Sequence, residues 1–286
     1  MTFTQSTQAL REILACHRCH GDLAFSDGSA NCAHCLTRLP VRDGVLMGLE
    51  ATQASFFDSI FEVMRQGNKE TGTWELFYRK QAELVANLLR PGEVVVDVGC
   101  GPEIPYAKGE ARVIGADASF ASIRANSSVD LRLFASAEAL PLKNHSVDTV
   151  LCFYSVHHMT GQSVEENATI VGRVFEEFRR VLKDRGRLLV FEVTPVWPFG
   201  ILEDLVWNLA RRSLGSGLDM YFWRAPKLER IGSEKLTNAD LTVRHFNGAL
   251  LQTFPPIFSK RSFRLPRFLY PFDICLYEWK LSDRQR

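Results

Sequence analysis

An α/β fold with a mostly parallel sheet, preceded by a small metal-held segment, is predicted by three observations. Strand and helix patterns alternate through residues 93–195. Four cysteines near the N-terminus fall into two C-x-x-C pairs. An apolar run, V-V-V-D-V, leads straight into G-C-G at residues 99–101. Parallel neighbours need a crossover connection, usually a helix, so regular alternation points to a parallel sheet wrapped by helices.

In residues 1–49, Cys16 and Cys19 are separated by twelve residues from Cys32 and Cys35. Two such knuckles can present four thiolates tetrahedrally to one zinc. Gly21, Gly28 and Asn31 supply the turns between them. So short a segment has little core, and a structural metal would hold it. With four thiolates bound, His17, His20 and His34 are redundant as ligands. Residues 50–90 read as a helical linker and cap, with Phe56, Phe57, Ile60, Phe61 and Met64, then Leu76, Phe77, Leu84, Leu88 and Leu89, at helical spacing. Pro91-Gly92 ends that run.

Residues 91–286 read as the catalytic domain. Glu93–Val98, Arg112–Ala116, Leu131–Phe134 and Val147–Phe153 are its first four strands. Glu165–Leu182 is an amphipathic helix, and Arg185-Gly186 turns it into a fifth strand, Arg187–Val193. Leu241–Phe246 and Phe272–Lys280 are the closing strands. Residues 196–240 are long for a simple connection and carry Trp197, Phe199, Trp207, Tyr221, Phe222 and Trp223. They are expected to form a lid over the acceptor.

The net charge of +1 creates no global field towards nucleic acid or anionic membrane. The ribbon segment balances four Lys/Arg against four Asp/Glu, so it is not a basic RNA-binding module. No apolar run reaches membrane-spanning length and no signal-peptide core opens the chain, so a cytoplasmic location is expected.

Gly99 and Gly101 let the loop after the first strand turn sharply and admit a ligand to the backbone. Asp117, 20 residues after Asp97, ends the second strand, where a carboxylate can accept both hydroxyls of a ribose. A nicotinamide oxidoreductase shares this logic but needs a third glycine and an intact helix for its pyrophosphate. Here Glu103 replaces that glycine, and Pro102 and Pro105 break the helix.

The ordered series D-V-G-C-G (97–101), G-A-D-A-S (115–119), A-E-A-L-P (137–141), D-T-V (148–150) and E-x-x-R-V-L-K (177–183) resembles the class I S-adenosylmethionine (SAM)-dependent methyltransferases. The likeness is greatest to the branch containing quinone-biosynthesis enzymes, and spans about residues 74–195. It implies a Rossmann-like, mostly parallel sheet of seven strands, the last antiparallel. It implies that Asp97 with the Gly99 and Gly101 backbone holds the methionine end of SAM, and Asp117 the ribose. Ser136, Ala137 and Glu138 would border the adenine, and Phe153 and Tyr154 would lie beneath the sulfonium. The stretch P-V-R-D-G-V-L, residues 40–46, is similar to zinc-ribbon modules fused to, or partnering, methyltransferases.

Methyl transfer needs an aligned nucleophile and, for a hydroxyl or acidic carbon, a proton acceptor. His157 and His158 follow the fourth strand and are candidate bases; Tyr78 and Tyr106 are further candidates. A small, apolar or aromatic acceptor is expected, methylated on oxygen or carbon. An rRNA or tRNA base methyltransferase using the ribbon, and a non-catalytic SAM-binding protein, are the alternatives. The segment 258–268, interleaving bases and aromatics, suits RNA, a membrane surface, an anionic substrate or a solvated edge. The sequence leaves the oligomeric state open.

Overall fold

The computed structural model describes residues 5–49, 78–215, 218–246, 251–253, 264–266 and 271–283. The helical reading of 50–77, and the aromatic–basic run apart from 264–266, fall outside the described residues.

The chain begins with α1 (Gln5–Glu12) and four short antiparallel strands, β1 (Leu23–Ser26), β2 (Ser29–Cys32), β3 (Arg38–Arg42) and β4 (Val45–Met47). After α2 (Arg79–Leu88), the expected alternation follows: β5 (Val94–Val98), β6 (Arg112–Asp117), α3 (Phe120–Ala125), β7 (Leu131–Phe134) and β8 (Val147–Phe153). Then come α4 (Val164–Val181), β9 (Leu182–Pro195), α5 (Phe199–Leu214), α6 (Ala225–Lys235) and β10 (Ala239–His245). A small hairpin, β11 (Leu251–Thr253) with β12 (Arg264–Pro266), precedes β13 (Phe272–Leu281).

The large sheet has the order β1-β2-β3-β4-β7-β6-β5-β8-β9-β13-β10. From β7 to β10 this is the expected seven-stranded sheet. Its first five strands run parallel, and β13, last in sequence, lies antiparallel between β9 and β10. All five residues of β5 are buried, as a central strand covered on both faces requires.

The sheet is larger than seven strands because the ribbon joins it. β4 pairs in parallel with β7, Val45 opposite Arg132 through Met47 opposite Phe134. Without β4, β7 would expose a row of unpaired backbone groups at the sheet edge. The join extends beyond β4, because Gly48 and Leu49 donate N–H to Phe134 O at 2.8 and 3.1 Å. Ala15 and Lys143 bridge the two parts through Pro141 O and Ile13 O. Leu10, Leu14, Leu39 and Leu46 accordingly sit in the same core as Val96, Ile114 and Leu133.

The described residues of 196–238 include two helices, α5 and α6, and a strap, Leu218–Arg224. α6 packs on α4, with Gly232 placed against Trp279 and Phe175. Trp207, Tyr221 and Trp223 are buried, while Trp197 and Phe199 face outwards. Among the described residues, no helix is long and apolar enough to cross a membrane.

Candidate functional site

At the carboxyl ends of β5, β6 and β8 lies a cavity of about 430 Å³. One wall is the Gly99–Pro102 turn, Asp117–Ala118 and Ala135–Glu138; the other is Tyr154–Ser155 and His158–Thr160, closed by Ile170 and Val174 of α4.

The first wall is held largely by backbone. Gly99 and Gly101 adopt φ of 72° and 63°, a region that favours glycine. A Cβ on Gly99 would also collide with the Ser155 side chain, whereas Gly101 has open space. No helix forms between β5 and β6; Pro102–Ala111 is turns and loop, as its prolines predict. Asp117 takes the place of a helix in ordering the turn. Its Oδ2 accepts from Gly101 N at 2.9 Å, and its Oδ1 from Ser119 N at 2.7 Å. Each carboxylate oxygen has a further lone pair for a ligand hydroxyl. Asn126, fully buried, donates to Gly101 O at 2.9 Å, and Ser155 Oγ donates to Val98 O at 2.9 Å. Neither residue stands out in the sequence. Ser136 Oγ accepts from Glu138 N, and the Glu138 carboxylate is paired with Arg173 at 2.5 Å.

Asp97 lies beneath this turn, fully buried, and does not line the cavity. The Tyr106 hydroxyl donates to its Oδ2 at 2.7 Å, while Oδ1 is buried with no hydrogen-bond partner. Burial pushes its pKa up to about 7, the Tyr106 hydrogen bond opposes the rise, and the Asp117 charge adds to it. Tyr106 itself is pushed well above the usual phenol range by burial and by Asp97. Tyr78 is pushed up to about 12 by burial and the Glu192 charge. Neither phenol is placed to give up its proton near neutral pH.

The second wall gathers groups far apart in the chain. Tyr154 leaves β8 at φ 56° and turns the backbone into the single 3₁₀ turn Val156–His158. His158 lines the cavity, and His157 is buried behind it, the two rings 4.1 Å apart. Glu192, buried in β9, organises the turn. Its Oε1 accepts from Val156 N at 2.7 Å, and its Oε2 accepts from His157 Nδ1 at 2.7 Å. Phe222 of the strap stacks on His157, and Tyr221 N donates to His157 O. His158 Nδ1 faces the Asp219 carbonyl at 3.2 Å. A carbonyl only accepts, so Nδ1 carries the proton and neutral His158 keeps its lone pair on Nε2. Burial, then the neighbouring His157, hold His158 well below the usual histidine range. Phe153 lies beneath, against Tyr154 and Phe191, and does not line the cavity.

The four ribbon thiols form a second cluster. Their Sγ atoms all lie within 4.8 Å of one another, with Cys16–Cys35 at 3.5 Å and Cys19–Cys32 at 3.4 Å. A tetrahedron with zinc–sulfur bonds of about 2.3 Å has edges of about 3.8 Å, so the cluster fits one zinc. The amides of His34 and Cys35 point at Cys32 Sγ, and that of Arg18 at Cys16 Sγ, as suits thiolate acceptors.

A mostly parallel sheet of this order, with glycine turn and strand-end acid around one cavity, defines the class I SAM-dependent methyltransferase architecture. Residues 96–190 match the family model described as a methyltransferase domain, so the enzymatic core of this chain is a SAM-dependent methyltransferase domain. No curated protein matches the sequence. Solved structures share the fold. A chain from a Haloferax volcanii complex of the Trm112 methyltransferase activator with a methyltransferase is 15% identical (TM-score 0.56, 81% of this chain and 100% of that one). A Thermotoga maritima SAM-dependent methyltransferase is 16% identical (TM-score 0.51, 79% and 100%). A Haemonchus contortus phosphoethanolamine N-methyltransferase is 11% identical (TM-score 0.50, 81% and 61%).

Proposed function

We propose that this enzyme methylates a small, apolar or aromatic molecule on oxygen or carbon, with SAM bound along the Gly99–Glu138 wall and the acceptor against His158. The observation that carries this reading is the cavity itself. Its second wall combines Met159, Ile170 and Val174 with one imidazole whose Nε2 holds a lone pair. SAM fits the first wall at the open space by Gly101, and the orphaned Oδ1 of Asp97, buried beneath that wall, is suited to an amino group once the turn above it admits one. When bound, SAM supplies an electrophilic methyl group on an excellent leaving group. The chain's own task is then to orient the acceptor, exclude water and hold its proton.

His158, kept neutral, would accept a hydrogen bond or proton from an acceptor hydroxyl at Nε2. Its depressed basicity suits an acidic phenol or enol better than an alkanol. His157 and Glu192 would position it, and the strap would close the wall behind. The four cysteines would hold one structural zinc, fixing the ribbon so that β4 stays on β7. Incubation of the enzyme with labelled SAM and a panel of phenols, quinols and ribosomal RNA tests the acceptor. Label on a small phenol or quinol supports this reading; label confined to RNA overturns it.

A further inference from the structure

The outer face of α5 is inverted relative to an ordinary surface helix. Leu202, Leu205, Val206 and Leu209, at i, i+3, i+4 and i+7, share one face and are 57%, 75%, 45% and 69% exposed. Trp197 and Phe199 extend that face at its N-terminal end, 78% and 49% exposed. The helix's two carboxylates point the other way. Glu203 accepts from Phe222 N, and Asp204 pairs with Arg224 at 2.9 Å and with Lys227 at 3.6 Å. Trp207 and Arg211 are also turned inwards, Arg211 donating to Gly215 O and Leu218 O. The charge left among the apolar side chains is cationic, the exposed Arg212. A soluble surface helix normally shows its charges to water and its leucines to the core. A contiguous exposed apolar face marks a docking surface.

We propose that α5 is a membrane-surface anchor, lying with its Leu202–Leu209 face in the headgroup region of an anionic lipid bilayer. The charge pattern selects this occupant. Sorting acids inward and leaving Arg212 outward complements anionic headgroups, each basic residue near such a surface adding attraction. A tryptophan at the border of the face is placed as interfacial tryptophans are, ring in the headgroup layer. The helix is about 24 Å long, enough to lie on the surface and too short to cross it. The anchor is coupled to the cavity. The strap that carries Asp219 and Phe222 against the His157–His158 turn is tied to α5 through Glu203 and through Trp207 Nε1, which donates to Met220 O. Docking would therefore hold the acceptor wall one helix away from the bilayer surface. The anchor stands on the helix alone; delivery of an apolar acceptor from the lipid rests on the functional reading above.

Sedimentation of the full-length protein with phosphatidylcholine vesicles, with and without phosphatidylglycerol, tests this. Binding is expected, stronger on the phosphatidylglycerol vesicles. A Leu205→Glu, Leu209→Glu double variant should lower partitioning about tenfold or more. Both sites are exposed, so the fold should persist, checked by an unchanged melting temperature. Arg212→Glu should weaken binding to the anionic vesicles only. The proposal is overturned if the wild type stays in the supernatant with both vesicles, or if the double variant binds as well as wild type. It is equally overturned if light scattering shows a dimer that the double variant dissolves, for a second copy then covers the face. Methyl transfer to a detergent-dispersed acceptor should be unaffected by the double variant. Loss of vesicle binding and absence of methyl transfer are thus separate failures.

Discussion

The two walls of the cavity are built by different means. On the cofactor wall, the groups that matter are backbone amides in a glycine turn and one carboxylate that latches them, Gly101 to Asp117, 16 residues apart. On the acceptor wall, a two-histidine turn is fixed by Glu192, 35 residues from His157, and by Asp219, 61 residues from His158. The first wall is a local device, built from one turn and the strand-end acid that latches it. The second is assembled by the fold, so its residues are free to differ between enzymes that share a cofactor. Substitutions on the first wall should therefore change SAM affinity, and those on the second should change turnover.

Asp117→Ala should produce the largest change. It removes the acceptor of the Gly101 and Ser119 amides as well as the proposed ribose contacts. Hydrogen bonds to a charged group contribute about 1.5–3 kcal/mol each, so SAM affinity should fall on the order of a hundredfold or more. Calorimetry reads this directly. Unchanged affinity would place the ribose elsewhere and dissolve the contrast between the walls.

The ribbon sharpens the same comparison, since its strand β4 pairs with the strand that leads into the cofactor wall. β4 and the Gly48 and Leu49 amides hold β7, which runs directly into Ala135–Glu138. Elemental analysis should give about one zinc per chain, the stoichiometry of a four-thiolate site. Cys32→Ser should lose the metal, lower the melting temperature by several degrees and weaken SAM binding more than it disturbs the His158 wall. Full zinc content in that variant would remove the site.

Much of this was legible in the sequence, for physical reasons. β7 and β8 lie where the mostly apolar runs L-R-L-F and V-D-T-V-L-C-F, bounded by turn residues, predict them. Ser163, whose hydroxyl accepts from Glu166 N at 3.1 Å, caps α4 two residues before the predicted helix start at Glu165. The cysteine spacing predicts the thiol cluster because each knuckle is a local turn. Joining of the ribbon to the sheet was not legible, since V-L-M at 45–47 carries no mark of its partner. The same holds for Asn126 and Asp219, which act through contacts that only the assembled fold creates. Aromatics in 196–240 were a third case. Hydrophobicity shows that they pack, but not that Trp207, Tyr221 and Trp223 go inwards while Trp197 stays out.

On the acceptor wall, Glu192→Gln should leave SAM affinity unchanged and lower kcat about tenfold or more. The amide can still accept from Val156 N, but it presents a donor or a neutral oxygen to His157 Nδ1, where the wild type has a carboxylate. The His157 ring then loses its charged partner, and the neighbouring His158, its ring 4.1 Å away, loses its support. Loss of SAM binding in this variant would show that the walls are not separable.

The smallest effect is a pH dependence confined to the cofactor wall. Asp97 is held up to about 7, by burial first. A carboxylate attracts the amino group of SAM, and a neutral carboxyl does not. SAM affinity should therefore be constant well above neutral pH and decline as pH falls through about 7. The Tyr106 hydroxyl, donating to Oδ2, favours the ionised form. Tyr106→Phe removes that bond, so the inflection should move to higher pH, while affinity at the alkaline end changes little. Asp97→Asn should bind SAM weakly at every pH and show no inflection. Measured by calorimetry between about pH 6 and pH 8, a flat wild-type profile would show that the carboxylate beneath the glycine turn is a structural group, and that Asp117 and the Gly99–Gly101 backbone hold the cofactor without it.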